Sequence, residues 1–387
     1  MSKWQMVRLG DICKITSGGT PSKAHPEYYE NGTIPWIKTG DLKNKYVSYN
    51  VDKITESGLK NSSAKMFPEG TLLIAMYGAT IGACSILSFD ACTNQACAAF
   101  LSIKNLDVSF LYYYLRSQKE NFIKLGVGGA QPNISATILK DYTIPLPPIE
   151  VQQKIAKTLD AASELLAMRK QQLQELDNLI QSTFYDMFGD PVTNEKGWEV
   201  GTIRDIVSEV KYGTSKAATE FGQYKYLRMN NITYSGSMDY TNLKYINLEE
   251  KEAKKYLVVK GDVLFNRTNS KELVGKTAVF KEDEPMVIAG YLIKIKVNDR
   301  ANSEFLSGIL NSKYGKNTLT GMCKAIIGQA NINAQELQNI KITLPPLSLQ
   351  NKFAEIVTKI EEQKELVQKA IDESQYLFDS LMSEYFE

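Results

Sequence analysis

Residue types that carry out chemistry are sparse in this chain of 387 residues. Its one histidine, His25, lies beside Pro26 in a polar stretch, so a histidine-based triad or zinc site lacks its parts. Five cysteines (Cys13, Cys84, Cys92, Cys97, Cys323) have no CxxC spacing, and no signal-peptide pattern follows Met1. Cys92 and Cys97, without a second pair, read as core thiols, and the set as a whole points to a reducing cytoplasm. Gly275-Lys276-Thr277 ends like a phosphate-binding loop, but Ser270 stands where that loop requires glycine. Asp205, Glu209 and Lys211 have the residue types of a metal-dependent nuclease triad, yet the first half of the chain offers Asp11, Ile15 and Ser17 instead. No glycine-rich fingerprint follows a predicted strand, and no Asn/Asp-Pro-Pro-aromatic motif is present. Neither a catalytic residue nor a metal ligand is assigned.

Binding has better material. Arg228-Met229-Asn230-Asn231 and Asn266-Arg267-Thr268-Asn269-Ser270-Lys271 concentrate fork and amide donors in turns, which suits base edges and phosphates. Ser17-Gly18-Gly19-Thr20, Lys38-Thr39-Gly40-Asp41 and Tyr77-Gly78-Ala79-Thr80 hold the corresponding places in the first half, with Gly19-Thr20 answering Gly213-Thr214. Lys211, Tyr212 and Thr214 belong to the same group of candidates. For any one of these residues, a polar loop facing water is the commoner account.

These turns must be positioned by elements, and the sequence contains its main element twice. Gln131 to Phe188 returns without a gap as Gln329 to Phe386, matching at Gln131/Gln329, Asn133/Asn331, Pro147-Pro148/Pro345-Pro346, Gln152/Gln350 and Phe188/Phe386. After the prolines, Leu159, Leu166, Leu173, Ile180 and Met187 fall seven apart, with Ile155, Ala162, Leu176 and Thr183 on the second seam position and Arg169 interrupting it. The second copy places Val357, Lys364, Ile371, Phe378 and Tyr385 in the same register, beside Phe353, Ile360, Val367, Ser374 and Leu381. Heptads of this kind predict helices of about 57 Å that pair with each other; two amphipathic helices, each packed on its own domain, are the alternative.

The halves also correspond upstream. WQMVRLGDI answers WEVGTIRDI, IPWIKTGDL answers YKYLRMNNI, EGTLLIAMYG answers KGDVLFNRTN, and FLYYYLRSQ answers FLSGILNSK. Each unit is therefore expected to be a mixed α/β globule followed by a long helix, with FGDPVTNEKGW as the joint. Gly70 to Phe89 is uncharged over the length of a membrane span, but its glycines and its charged counterpart in the second half point to buried strands around a turn. Charge is balanced, with 45 Lys+Arg against 44 Asp+Glu, so any polyanion must be met by local patches.

Taken together, GGAQPNISATILKDYTIPLPPIEVQQKIA and GQANINAQELQNIKITLPPLSLQNKFAEI, the helix ends LIQSTFYDMFGDP and LFDSLMSEYFE, and the openings WQMVRLGDI and WEVGTIRDI resemble the specificity subunits of type I restriction-modification systems. The resemblance covers essentially the whole chain. It implies an α/β (mixed) fold with two target recognition domains separated by two long helices in an antiparallel coiled coil, related by an internal pseudo-two-fold repeat. The domains would be 1–148 (first recognition domain), 149–190 (central spacer helix), 191–346 (second recognition domain) and 347–387 (C-terminal spacer helix). Such a subunit reads a bipartite, asymmetric site in double-stranded DNA and seats two modification subunits, which bring S-adenosylmethionine for adenine-N6 methylation. A third, restriction subunit would cut and translocate; whether one is present is left open. By itself the chain would be non-catalytic, bind no cofactor and avoid membranes. Gln131, Asn133, Gln329 and Asn331 are carried over as motif positions, although Pro132 in the first copy is replaced by Ala330 in the second. A self-sufficient DNA methyltransferase or nuclease, and a coiled-coil scaffold that binds only proteins, are the rival readings.

Overall fold

The computed structural model describes residues 4–126, 133–323 and 330–386. It divides into two compact units, residues 1–168 with 371–387 and residues 169–370. Both are built to one plan. In the first, an antiparallel sheet runs in the order Lys14–Ser17, Cys97–Leu101, Leu72–Ala75, Cys84–Ile86. A second sheet runs Lys53–Ile54, Ile34–Ile37, Ala91–Thr93, Met66–Phe67, with its two central strands parallel. The other unit repeats both orders: Val207–Tyr212, Leu292–Val297, Val263–Asn266, Thr277–Val279, and then Lys244–Ile246, Tyr224–Leu227, Met286–Ile288, Leu257–Val258. The central strands Leu72–Ala75 and Val263–Phe265 are apolar throughout and wholly buried, because both of their faces are covered.

The stretch Gly70–Phe89 forms two buried strands around a turn at Gly78–Thr80, where Gly78 has φ +66°. Among the described residues no helix is long and apolar enough to cross a membrane. The matched openings and the stretches before the double prolines meet as two-stranded ribbons. Met6–Arg8 pairs with Thr143–Pro145, and Glu199–Thr202 pairs with Lys341–Leu344. Each globule is thus closed where its chain enters and leaves. The matched stretches FLYYYLRSQ and FLSGILNSK lie mainly in helices, Val108–Ser117 and Ser303–Asn311, and Asp107 and Asn302 cap their starts.

The two long helices span Ile149–Phe188 and Leu347–Phe386, 40 residues each. In the second unit they run antiparallel: Arg169 donates to the Ala370 carbonyl, Asp177 meets Lys364, and Phe184 packs on Phe353. In the first unit Tyr113 touches Asp160 of one helix and Phe378 of the other. In the second helix the buried positions are those of the heptad, whereas in the first Leu166, Leu173, Ile180 and Met187 are only half-buried and Phe184 and Phe188, off that register, are buried. Phe353, Val357, Ile360, Lys364, Val367, Ile371, Ser374 and Phe378 are all buried, while the residues between them are mostly exposed. Phe184, Phe188, Phe305 and Phe353 form an aromatic cluster that fixes the helix pair to the second globule.

Candidate nucleic-acid interface

In each unit two strands of each sheet, those that run the same way, bring their carboxyl ends to one edge. In the first unit, Ser17, Ile37, Ala75 and Thr93 are the last residues of four strands. Backbone hydrogen bonds join the loops that follow: Gly19 N–H donates to Thr93 O (2.9 Å), Asn94 N–H to Ile37 O (2.9 Å) and Met76 N–H to Ala96 O (2.8 Å). The second unit makes equivalent bonds, Thr214 N–H to Ile288 O (2.9 Å), Ala289 N–H to Leu227 O (2.9 Å) and Arg267 N–H to Tyr291 O (3.0 Å). These bonds correct one pairing. Gly18-Gly19, not Gly19-Thr20, answers Gly213-Thr214. A Cβ on Gly18 would lie 2.0 Å from Thr93 O and one on Gly213 would lie 2.2 Å from Ile288 O, so both sites exclude a side chain for the same reason.

The second repeat element closes over this edge. Ile134 N–H donates to Met76 O and Ile332 N–H to Arg267 O, both at 2.9 Å, which sets Asn133 against Tyr77 and Asn331 against Thr268. Tyr77, Asn133 and Asn331 are exposed. Gln131 and Gln329 lie outside the described residues. In the second unit Arg267 lies over the Tyr212 ring at 4.8 Å, and the Tyr212 hydroxyl accepts from Ala334 N–H (2.8 Å). Tyr212, Arg267, Thr268 and Asn331 are therefore one cluster.

The two turns after the parallel strands match in detail. Lys38 N–H donates to the Asp41 carboxylate and Arg228 N–H to the Asn231 side-chain oxygen, both at 2.8 Å. Lys38 turns its ammonium to Asp52, and that hydrogen bond raises its pKa above the usual lysine value. Arg228 donates through Nη2 to Asn242 O (2.9 Å), while Asn230 faces solvent. Ser17, Thr20 and Thr39 are half-buried in the first unit, and in the second Asn269 is half-buried and Lys211 and Lys271 are exposed.

Six of the residues named in these turns are buried: Gly18, Gly19, Thr214, Asn231, Asn266 and Thr268. Asn231 is 2% exposed and spends its amide on Asp239 O (2.8 Å), and the Thr214 hydroxyl accepts from Lys216 N–H (3.3 Å). They hold the backbone of the edge rather than face a ligand. Sequence reasoning also missed two edge residues, Gln95, which bonds Thr20, and Tyr291, which is 51% exposed. Aligning TNQACAAFL with IAGYLIKIK would have found them. Asp205 caps its own turn through Thr202, Glu209 is ion-paired with Lys211 and Lys294, and Lys276 is buried with its ammonium on the carbonyls of Met229 and Ile232. These polar groups are occupied by structural bonds.

An edge of this kind offers amide, hydroxyl, aromatic and guanidinium groups on a rigid backbone, the means by which proteins read base edges and grip phosphates. Residues 1–178 and 195–374 match the family described as type I restriction modification DNA specificity domain. The type I restriction enzyme MjaVIII specificity subunit of Methanocaldococcus jannaschii is 27% identical over 402 residues, covering 95% of this chain and 90% of that protein. The MjaIX specificity subunit of the same organism is 31% identical over 237 residues, and this alignment spans only about half of either protein, 56% of this chain and 54% of that one. The crystal structure of a type I restriction-modification S subunit from M. genitalium shares the fold, with a TM-score of 0.60 at 17% identity over 100% of this chain and 96% of that one. Since the match takes in both copies of the repeat rather than one, the chain as a whole belongs to the type I restriction-modification DNA specificity family.

Proposed function

We propose that this chain is the sequence-reading, non-catalytic subunit of a cytoplasmic type I complex, and that its two globules, residues 1–148 and 191–346, each read one half of a bipartite, asymmetric DNA site. The helices at 149–190 and 347–387 act as the spacer between the halves. Two modification subunits dock, one per copy of the repeat, and carry S-adenosylmethionine and adenine-N6 methyl transfer; a restriction subunit supplies cleavage where one is present. What carries the reading is a single observation: the same backbone edge is built twice with different side chains on it. Met76 and Arg267, Tyr77 and Thr268, Lys38 and Arg228, and Gly40 and Asn230 occupy equivalent places. A repeated frame with unlike side chains fits two half-sites of different sequence.

Ser17, Thr20, Lys38, Thr39, Tyr77, Gln131 and Asn133 are the contacts proposed for one half-site. Those for the other are Lys211, Tyr212, Arg228, Asn230, Arg267, Asn269, Lys271, Gln329 and Asn331. The test is co-expression with the modification subunits followed by methylation mapping. A two-part motif with a fixed unread gap supports the reading, and a contiguous palindrome or methylation by the chain alone overturns it. Light scattering of the complex should give two modification subunits per chain.

A further inference from the structure

In each unit, the loop that follows the recognition turn reaches a long helix and is fastened there by a lysine. In the first unit the turn Lys38–Asp41 runs on to Lys45, whose loop is held on the neighbouring strand through Ile86 N–H to Lys45 O (2.7 Å) and Ser85 Oγ to Asn44 O (2.6 Å). The Lys45 ammonium pairs with Asp160 of the central helix and donates to Ser109 Oγ (2.9 Å). The rings of Tyr46, Tyr112 and Tyr113 lie within 5.5, 5.8 and 5.2 Å of it, and the Tyr113 hydroxyl donates to the same Asp160 oxygen (2.6 Å). In the second unit the turn Arg228–Asn231 runs on to Ser237, which is held by Thr233 (2.9 Å). Here the lysine comes from the helix. Lys364 donates to Ser237 Oγ (2.8 Å) and pairs with Glu361 (2.9 Å) and with Asp177 of the other helix (2.7 Å). Burial works against the charge of Lys364, but the two carboxylates outweigh it and hold its pKa above the usual lysine value.

The two joints share no residue by descent from the repeat, since Lys45 and Ser237 differ and Asp160 is matched in the second helix by Thr358. The same connection is made twice by different means, which marks it as useful in itself. We infer that Lys45 and Lys364 are positioning residues that tie each reading edge to the helix pair, so that the permitted gap between half-sites, and not the choice of bases, depends on them. This rests on the proposed reading of DNA by the two edges.

The test uses the full chain with its modification subunits and a panel of sites whose half-sites are constant and whose gap varies base pair by base pair. Lys45→Met and Lys364→Met keep the side-chain reach and remove the charge. Loss of a charge-assisted joint is expected to cut discrimination against a gap wrong by one base pair about tenfold, with base preferences unchanged. Lys45→Arg and Lys364→Arg should restore it in part. Should a methionine variant fail to fold, Asp160→Asn and Ser237→Ala test the same joints more mildly. Unchanged gap discrimination in folded variants overturns the inference, as does loss of base selectivity in place of gap selectivity. If the wild-type complex itself shows no two-part site, the DNA reading fails instead, so the two failures are told apart.

Discussion

Asn230 and Asn231 stand side by side in one turn, and the fold gives them opposite tasks: one faces solvent and the other is the buried cap that shapes the turn. Exposure of this kind decides which polar residues can meet a base. Arg267 has its guanidinium 4.8 Å from the Tyr212 ring at the candidate edge, whereas Arg228 already gives Nη2 to Asn242 O. Arg267→Ala should therefore cost about 1–3 kcal/mol of selectivity at one base position of one half-site. Methylation of a panel with single-base changes in each half checks this, and equal loss in both halves would make the arginine a general phosphate contact. Turn composition made the edge visible in the sequence, but not the split between cap and contact, because asparagine is suited to both.

Glu209 makes a separate, ionic case. Hydrogen bonds from Lys211 first, and then from Lys294, pull its carboxyl down to about 2 from 4.5. A carboxyl whose folded pKa lies below its unfolded value stabilises the protein above the unfolded value, and this contribution is lost as pH falls toward the folded one. Glu209→Gln should lower Tm at neutral pH, and the difference from the parent should shrink as pH falls from about 4.5 toward 2. Thermal unfolding of both forms across this window is the measurement. A constant difference would show that packing, not charge, is what the substitution removes.

At the scale of elements, the repeated glutamines do what their position in the repeat could not reveal. Gln152 and Gln350 are fully buried one turn into the long helices. Gln350 donates to Pro345 O (2.8 Å) and Arg300 O (3.2 Å) and accepts from Asn302 N–H (2.9 Å), and Gln152 makes the same three bonds to Pro147, Asn105 and Asp107. One side chain thus joins the start of a long helix to the cap of the globule's main helix. Gln350→Ala orphans these groups and should cost about 1–3 kcal/mol for each that water cannot reach, read as a lower urea midpoint. A cost no larger than for an exposed glutamine would mean that water replaces it. The heptads were legible because burial in a helix pair follows a spacing of three and four. Lys364 puts a charge on that seam, and its folded partners Asp177, Glu361 and Ser237 account for it there.

For the whole molecule the proposed spacer has to satisfy both helices at once. Arg169 meets Ala370 and Asp177 meets Lys364, so residue numbers rise along one helix as they fall along the other. Lengthening one helix alone would put every later pair out of register. Matched insertions of whole heptads, after Gln171 and after Lys369, keep the seam intact. One heptad adds about 10.5 Å, or roughly three base pairs at 3.4 Å, but three base pairs also turn the duplex by roughly 100°, given about 10.5 per turn. The second half-site would then face away from its reading edge. Three heptads add about 31.5 Å, close to one turn of about 34–36 Å, so length and phase agree again. The one-heptad pair should methylate poorly at every gap, and the three-heptad pair should recover with a gap longer by about nine or ten base pairs and the same half-site sequences. Methylation mapping in cells carrying each variant decides it. Full activity at the original gap in the three-heptad variant would mean that something other than the helices sets the spacing.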